Sequence, residues 1–210
     1  IVTDSVTSDG LNEFITAAGG VHHRFKRGYK NVINEAVRLN KEGVYCPLAI
    51  ETSGHAALKE NYFLDDGAYL VTRLIIKAAQ LKKENKELED LIKDLKMPLE
   101  EGEIRLGFFE KDFKPYGMKM IEDLTEYSEK QAGFTVAPSN YEGVRVSLDK
   151  ANGDGWFLVR MSLHDPIVPI NIESNEKGGV KKIAEKLYSF MKKYSGLDLT
   201  NLKKFINLED

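Results

Sequence analysis

The sequence predicts an α/β chain in two parts: a mixed-sheet α/β domain over residues 1–97, then a small α+β domain with an antiparallel sheet over 98–210. Three observations carry this expectation. In the first half, short runs of branched apolar residues alternate with stretches whose apolar positions recur at helical spacing, the pattern of strands connected through helices. In the second half, strand-like runs follow one another with the turn signals Asn152-Gly153-Asp154-Gly155 and His164-Asp165-Pro166 between them, as in an antiparallel sheet. Between the halves the composition shifts to Lys and Glu over 82–96, and Met97-Pro98 followed by Glu100-Glu101-Gly102 breaks the pattern.

Residues 1–7 are rich in branched side chains and read as the first strand. Ser8 or Asp9 then caps a helix running to about Ala18 and closed by Gly19-Gly20. A polar segment with His22, His23, Arg24, Lys26 and Arg27 leads to Tyr29, after which Val32, Ile33, Ala36, Val37 and Leu39 mark one face of a second helix. Residues 44–50 form a short apolar run suited to a buried strand. Asp65-Asp66 caps a third helix, and its Ala68, Leu70, Val71, Leu74, Ile75, Ala78 and Ala79 make a broad apolar face expected to pack onto a sheet. Leu88, Leu91, Ile92 and Leu95 keep helical spacing through the charged run. That run reads as a solvated amphipathic helix, with a partner-binding coil as the alternative. Further on, the expected strands are 104–109, 134–137, 144–148, 156–161 and 168–172. Met118, Ile121, Leu124 and Tyr127 mark a helix ending near Gly133, and Val180, Ile183, Ala184, Leu187, Phe190 and Met191 mark another, which places the helices on one face of the sheet.

The bulk composition narrows the function classes. The 210 residues are 42% hydrophobic and 30% charged, the balance of a globular protein. A net charge of -3, with Lys and Arg offset by acids along nearly the whole chain, argues against a nucleic-acid partner. Cys46 is the single cysteine, so an internal disulfide and a cysteine-based metal site are excluded, which fits a reducing cytoplasm. No apolar run approaches the roughly 20 residues that span a bilayer, and no signal-peptide pattern opens the chain. The chain starts at Ile1, without Met and directly in a strand-like run, which suggests a piece cut from a longer protein or a processed chain.

The most informative stretch is Ala49-Ile50-Glu51-Thr52-Ser53-Gly54-His55, with Asp65-Asp66-Gly67 following. An acid and a hydroxyl two positions apart face the same way on extended backbone, and Gly54 lets the chain turn after them. Glu51 and Ser53 could then exchange hydrogen bonds with vicinal sugar hydroxyls. A serine-hydrolase reading fails because the Gly-x-Ser-x-Gly elbow is absent. His55 taken alone reads equally as a structural histidine. At the end of a predicted strand, Arg160 and Ser162 alternate in Arg160-Met161-Ser162-Leu163-His164-Asp165-Pro166. A guanidinium, a hydroxyl and turn amides together could cradle a phosphate, and the same residues also read as ordinary surface groups. Lys30, at a helix start after Gly28-Tyr29, is either an anion-binding or a solvated lysine. The neighbouring His22 and His23 lack a carboxylate at metal-ligand spacing, so no metal site is expected.

Together these motifs resemble the C-terminal half of the α-D-phosphohexomutases, the phosphoglucomutase/phosphomannomutase superfamily. The family's third domain carries a Gly-Glu-x-Ser-Gly-His sugar loop and an Asp-Asp-Gly helix start, matched here by residues 49–55 and Asp65-Asp66-Gly67. Its Gly-Phe-Lys pattern appears as Gly28-Tyr29-Lys30, and its fourth-domain phosphate loop, Arg-x-Ser-x-Thr-Glu-Pro, as residues 160–166, with His164 and Asp165 replacing Thr and Glu. The family's phosphoserine loop (Thr-Ala-Ser-His-Asn-Pro type) and metal loop (Asp-Gly-Asp-x-Asp-Arg) do not occur in these residues. The resemblance therefore implies a third domain over 1–97 lacking its N-terminal helix, and a TBP-like fourth domain over 98–210.

What the resemblance implies for function is an intramolecular phosphotransferase of the isomerase class. The parent enzyme would interconvert hexose 1-phosphate and hexose 6-phosphate through an enzyme phosphoserine and a 1,6-bisphosphate. Its Mg²⁺ would be bound by a domain outside this chain, with no metal or other cofactor here. Glu51 and Ser53 would bind the sugar, and Arg160, Ser162, Leu163 and His164 the phosphate. His55 and Lys30 would be auxiliary catalytic groups. Domains one and two of the parent are the implied partners, and the fragment alone would be inactive. The alternative is a non-catalytic phosphosugar-binding or regulatory module.

Overall fold

In the computed structural model, which describes residues 1–162 and 165–208, the chain forms two compact units, Ile1–Met97 and Pro98–Asp210. The first is built on strands β1 (Val2–Asp4), β2 (His23–Phe25), β3 (Leu48–Ile50) and β4 (Ala56–Leu58), in the sheet order β2-β1-β3-β4. β1 runs parallel to β2 and β3, whereas β4 returns antiparallel to β3, so the sheet is mixed. Parallel neighbours need crossover connections, supplied by α1 (Asp9–Ala17) and α2 (Tyr29–Lys41). Ser8 caps α1 by accepting from the Leu11 amide at 3.2 Å. Val32 and Ala36 of α2 pack on Val2, Cys46 and Ala49 to make the core.

Several elements depart from the sequence expectation. β1 ends at Asp4 because the chain turns through Ser5 and Val6. β2 lies within the segment expected to be irregular. Its polar groups are tied into the fold: His23 Nε2 lies 2.9 Å from the buried Glu35 carboxylate, and Arg24 donates to the carbonyls of Thr7 and Ser8. β3 covers only the end of the 44–50 run, since Val44 and Tyr45 are exposed and Pro47 has no N–H for the ladder.

α3 (Gly67–Lys83) starts where Asp66 accepts from the Tyr69 amide at 3.0 Å. The expectation that its apolar face lies on a sheet is corrected: only Leu81 is buried, while Val71, Leu74, Ile75 and Ile76 are exposed. Amphipathic periodicity specifies a helix with an apolar face and leaves open what covers it. The charged run is not a continuous helix either. Asn85 takes a left-handed φ of 56° and the Lys86 amide bonds back to the Leu81 carbonyl, a turn that ends α3. Leu88–Leu91 then makes a separate 3-10 turn capped by Glu87 and Asp90.

The second unit comprises β5 (Glu100–Phe108), α4 (Phe113–Glu129), β6 (Phe134–Val136), β7 (Val144–Leu148), β8 (Gly155–Val159), β9 (Ile167–Ser174), α5 (Gly179–Met191), β10 (Leu197–Asp198) and α6 (Thr200–Phe205). Its six strands pair antiparallel throughout in the order β10-β5-β9-β8-β7-β6. Leu106, Phe157, Ile170 and Ile172 of the sheet meet Met120 and Leu124 of α4 and Ile183, Leu187 and Met191 of α5. β5 begins at Glu100, inside the stretch expected to break structure. Acids are accommodated there because Glu100 accepts from the Gly178 and Val180 amides at the start of α5, at 2.7 and 3.3 Å. The short β10 and α6 carry too little periodic pattern for the sequence to announce them. Among the described residues no helix is long and apolar enough to cross a membrane.

Phe157 is 1% exposed and sits in the largest core. Phe157→Ala is expected to destabilise the second unit by about 3–5 kcal/mol, read as a lowered denaturant midpoint with an unchanged slope. A change below about 1 kcal/mol would contradict this packing.

Candidate functional site

The acid and hydroxyl singled out in the sequence lie in the tight turn that joins β3 to β4. The Gly54 amide donates to the Glu51 carbonyl at 2.9 Å and the Glu51 amide to the His55 carbonyl at 2.9 Å, so residues 51–54 close a β-turn on a hairpin ladder. Gly54 has φ +93°, a conformation that L side chains rarely adopt. The structure brings Glu51 and Ser53 together: Ser53 Oγ donates to Glu51 Oε2 at 2.8 Å. Glu51 Oε1 accepts from the Gly28 amide, also at 2.8 Å. Gly28 is the N-cap of α2, so the carboxylate stands at the positive end of that helix. An ionised carboxylate has about four lone-pair sites. Among the described residues two are occupied, which leaves two for outside donors.

Asp4 lies beneath the turn and was not picked out from the sequence. It is fully buried at the end of β1, and its Oδ2 accepts from the Thr52 amide at 3.3 Å and the Thr52 hydroxyl at 2.7 Å. Arg27 Nε is 3.9 Å away. Among the described residues Asp4 Oδ1 has no hydrogen-bond partner. Burial pushes the Asp4 carboxyl above its ordinary range, against the opposing pull of the Thr52 hydrogen bonds and Arg27. The available signal was an acid closing an apolar strand, where a charge must find partners or lose its proton.

His55 follows the turn. Its ring stacks on Tyr29, with centroids 4.9 Å apart and planes 24° apart, and its Nδ1 lies 2.7 Å from Asp65 Oδ2. Lys30 is exposed on the first turn of α2, its ammonium 5.8 Å from the Tyr29 ring centroid. Tyr29 thus links the two, a role that reading Lys30 and His55 separately did not reveal. Gly28, Tyr29, Glu51, Ser53, His55 and Asp65 form one connected group in the first unit.

In the second unit, Arg160 and Ser162 extend the β8–β9 hairpin beyond its regular strands. The Arg160 amide donates to the Pro169 carbonyl at 3.2 Å and the Ser162 amide to the Ile167 carbonyl at 3.0 Å. The Asp165 amide donates to Ser162 Oγ at 3.3 Å. Gly143 holds this edge in place: a Cβ there would lie 2.2 Å from the Val159 carbonyl oxygen and 2.7 Å from Arg160 Cα. Leu163 and His164, expected to bind phosphate, lie outside the described residues. Among the described residues no group of three or more His, Cys, Asp or Glu is placed to hold a metal ion.

The buried Asp4 sets a pH dependence. A carboxyl whose folded pKa is raised penalises the native state once it ionises, and the penalty vanishes below the unfolded pKa. Unfolding titrations of Asp4→Asn and the wild type are therefore expected to diverge with pH. The stability difference should move in favour of Asp4→Asn between pH 4 and pH 7, and a pH-independent difference would contradict the raised pKa.

Residues 1–97 match the family model described as phosphoglucomutase/phosphomannomutase, alpha/beta/alpha domain III. A curated relative, a phosphomannomutase/phosphoglucomutase of Pseudomonas syringae pv. tomato, is 28% identical over 207 residues, covering 95% of this chain and 39% of the relative. The chain thus spans about two fifths of that protein. Among solved structures, a phosphoglucomutase/phosphomannomutase family protein from Burkholderia thailandensis superposes with a TM-score of 0.69 at 24% identity, over 92% of this chain and 37% of that one. The Aspergillus fumigatus N-acetylphosphoglucosamine mutase in complex with GlcNAc-6P and magnesium gives 0.53 at 11% identity, over 92% and 38%. At these identities the structural likeness speaks for the fold. Residues 1–97 thus match a phosphoglucomutase/phosphomannomutase domain III, and the mixed sheet followed by an antiparallel one agrees with the fold of those solved structures.

Proposed function

We propose that this chain is the sugar- and phosphate-recognising part of a phosphohexomutase, an isomerase that moves phosphate between the 1- and 6-positions of a hexose. The observation that carries the reading is the Glu51 carboxylate, held by the Gly28 amide and the Ser53 hydroxyl at 2.8 Å each. A carboxylate fixed in this way, with acceptor capacity left over, suits adjacent sugar hydroxyls. They can donate to Glu51, while Ser53 adds a hydroxyl of its own. Its contribution to rate is positioning.

Arg160 and Ser162, with Leu163 and His164, would hold the phosphate that is not being transferred. A guanidinium offers paired donors to phosphate oxygens, and the Ser162 hydroxyl adds another. His55 and Lys30 would assist proton movement and neutralise charge near the reacting hydroxyl. In the whole protein the reaction would run in the cytoplasm through an enzyme phosphoserine and a 1,6-bisphosphate, with domains one and two as partners of this part. The phosphoserine and metal loops do not occur in these 210 residues. Mg²⁺ would therefore be bound outside this chain. The use of Mg²⁺ by the whole protein is supported by the Aspergillus fumigatus mutase, solved with GlcNAc-6P and magnesium.

NMR titration of the chain with glucose 1,6-bisphosphate is expected to shift residues 51–55 and 160–162, with Arg160→Ala weakening binding at least tenfold. Shifts confined to other regions would refute the reading. Glucose 1-phosphate with Mg²⁺ is expected to give no isomerisation by this chain alone, and turnover in a clean preparation would place the chemistry elsewhere.

A further inference from the structure

We propose that Asp65 is a positioning residue for His55. By accepting a hydrogen bond from Nδ1–H it holds the neutral imidazole in the tautomer whose Nε2 is an acceptor, presented to a donor such as a sugar hydroxyl. This rests on residues 51–55 being the hydroxyl-reading turn, and it assigns a role to a residue outside that turn.

Two consecutive aspartates precede α3, and their surroundings divide the work between them. Asp66 is the helix cap: Oδ1 accepts from the Tyr69 amide at 3.0 Å and Oδ2 from Asn61 Nδ2 at 3.3 Å. These hydrogen bonds hold the Asp66 carboxyl below its ordinary range. Asp65 takes no part in the cap and reaches His55 Nδ1 at 2.7 Å instead. Its backbone is tied to the hairpin by an antiparallel bridge to Ala57 of β4, the strand that His55 leads into. The pair is therefore held by the ladder as well as by its side chains.

The ring is constrained in two independent directions. Asp65 fixes one edge within the ring plane, and Tyr29, stacked at 4.9 Å, fixes the plane itself. An ionised carboxylate can only accept, so the proton in the His55–Asp65 bond resides on Nδ1. The neutral ring then carries its lone pair on Nε2. Nε2 has no hydrogen-bond partner among the described residues, and the side chain is 50% exposed, so this nitrogen is open to a ligand. Should Nε2 gain a proton from a donor, both ring nitrogens become donors and the Asp65 carboxylate stabilises the resulting imidazolium. An Asn at position 65 would keep the size and lose this bias, because its amide can donate to Nδ1 as readily as accept from it.

Nitrogen-15 imidazole spectra of the 210-residue chain, recorded where His55 is neutral, test the assignment. In the wild type Nδ1 should resonate as the protonated nitrogen and Nε2 as the unprotonated one. In Asp65→Asn the signature should shift toward protonated Nε2, whereas Asp66→Asn should leave it unchanged. A wild-type ring protonated on Nε2, or an Asp65→Asn spectrum identical to the wild type in an otherwise folded chain, would overturn the proposal. The wild-type spectrum alone decides the matter if Asp65→Asn does not fold. A failed sugar-phosphate titration with the expected tautomer intact would remove the sugar reading instead, so the two failures are distinguishable.

Discussion

The hydrogen bond from the Gly28 amide to Glu51 Oε1 is the constraint on which the first unit's candidate site depends. It joins the start of α2 to the β3–β4 turn, two pieces 23 residues apart, and gives the Glu51 carboxylate a fixed orientation. A charge-assisted bond of this kind contributes about 1.5–3 kcal/mol. Everything nearby follows from that orientation: Ser53 is drawn to Oε2, while Tyr29, the residue after Gly28, stacks on His55. The turn is supported from below by Thr52 on the buried Asp4. Recognition groups held this way lose little freedom when a ligand arrives.

Asp4 carries a cost that the fold accepts. A buried carboxylate with one oxygen unpartnered among the described residues penalises the native state, yet its other oxygen fixes both the amide and the hydroxyl of Thr52. A cost of this sort beneath a turn is expected at a functional site more than in a purely structural hairpin. The second unit shows the contrasting economy. Its large apolar core carries the stability, and Arg160 and Ser162 sit on backbone pairing that simply continues the β8–β9 ladder.

Much of this was legible in the sequence, and the limits have physical causes. The motif at 49–55, the Asp66 cap and the strands of the second unit are local features whose chemistry is written in adjacent residues. β2 was invisible because its polar side chains are satisfied by partners from α1 and α2, which only the fold brings near. β4 was hidden behind the turn that precedes it, and three residues carry little alternation. The bare face of α3 was misread since periodicity reports an apolar stripe and says nothing of its cover. Asp4, Tyr29 and Asp65 acquire their roles through contacts across 10 to 48 residues, beyond the reach of any spacing rule. Family resemblance gave Arg160 and Ser162 their expected phosphate role, which residue chemistry alone left open to an ordinary surface reading.

The most direct measurement is amide hydrogen exchange at Gly28. If Glu51 is clamped to the start of α2, that amide exchanges slowly in the wild type and becomes fast in Glu51→Ala, while the amides of Val32 and Ala36 deeper in the helix stay protected. Fast exchange at Gly28 in the wild type, or equal protection in Glu51→Ala, would contradict a fixed carboxylate and with it the candidate site.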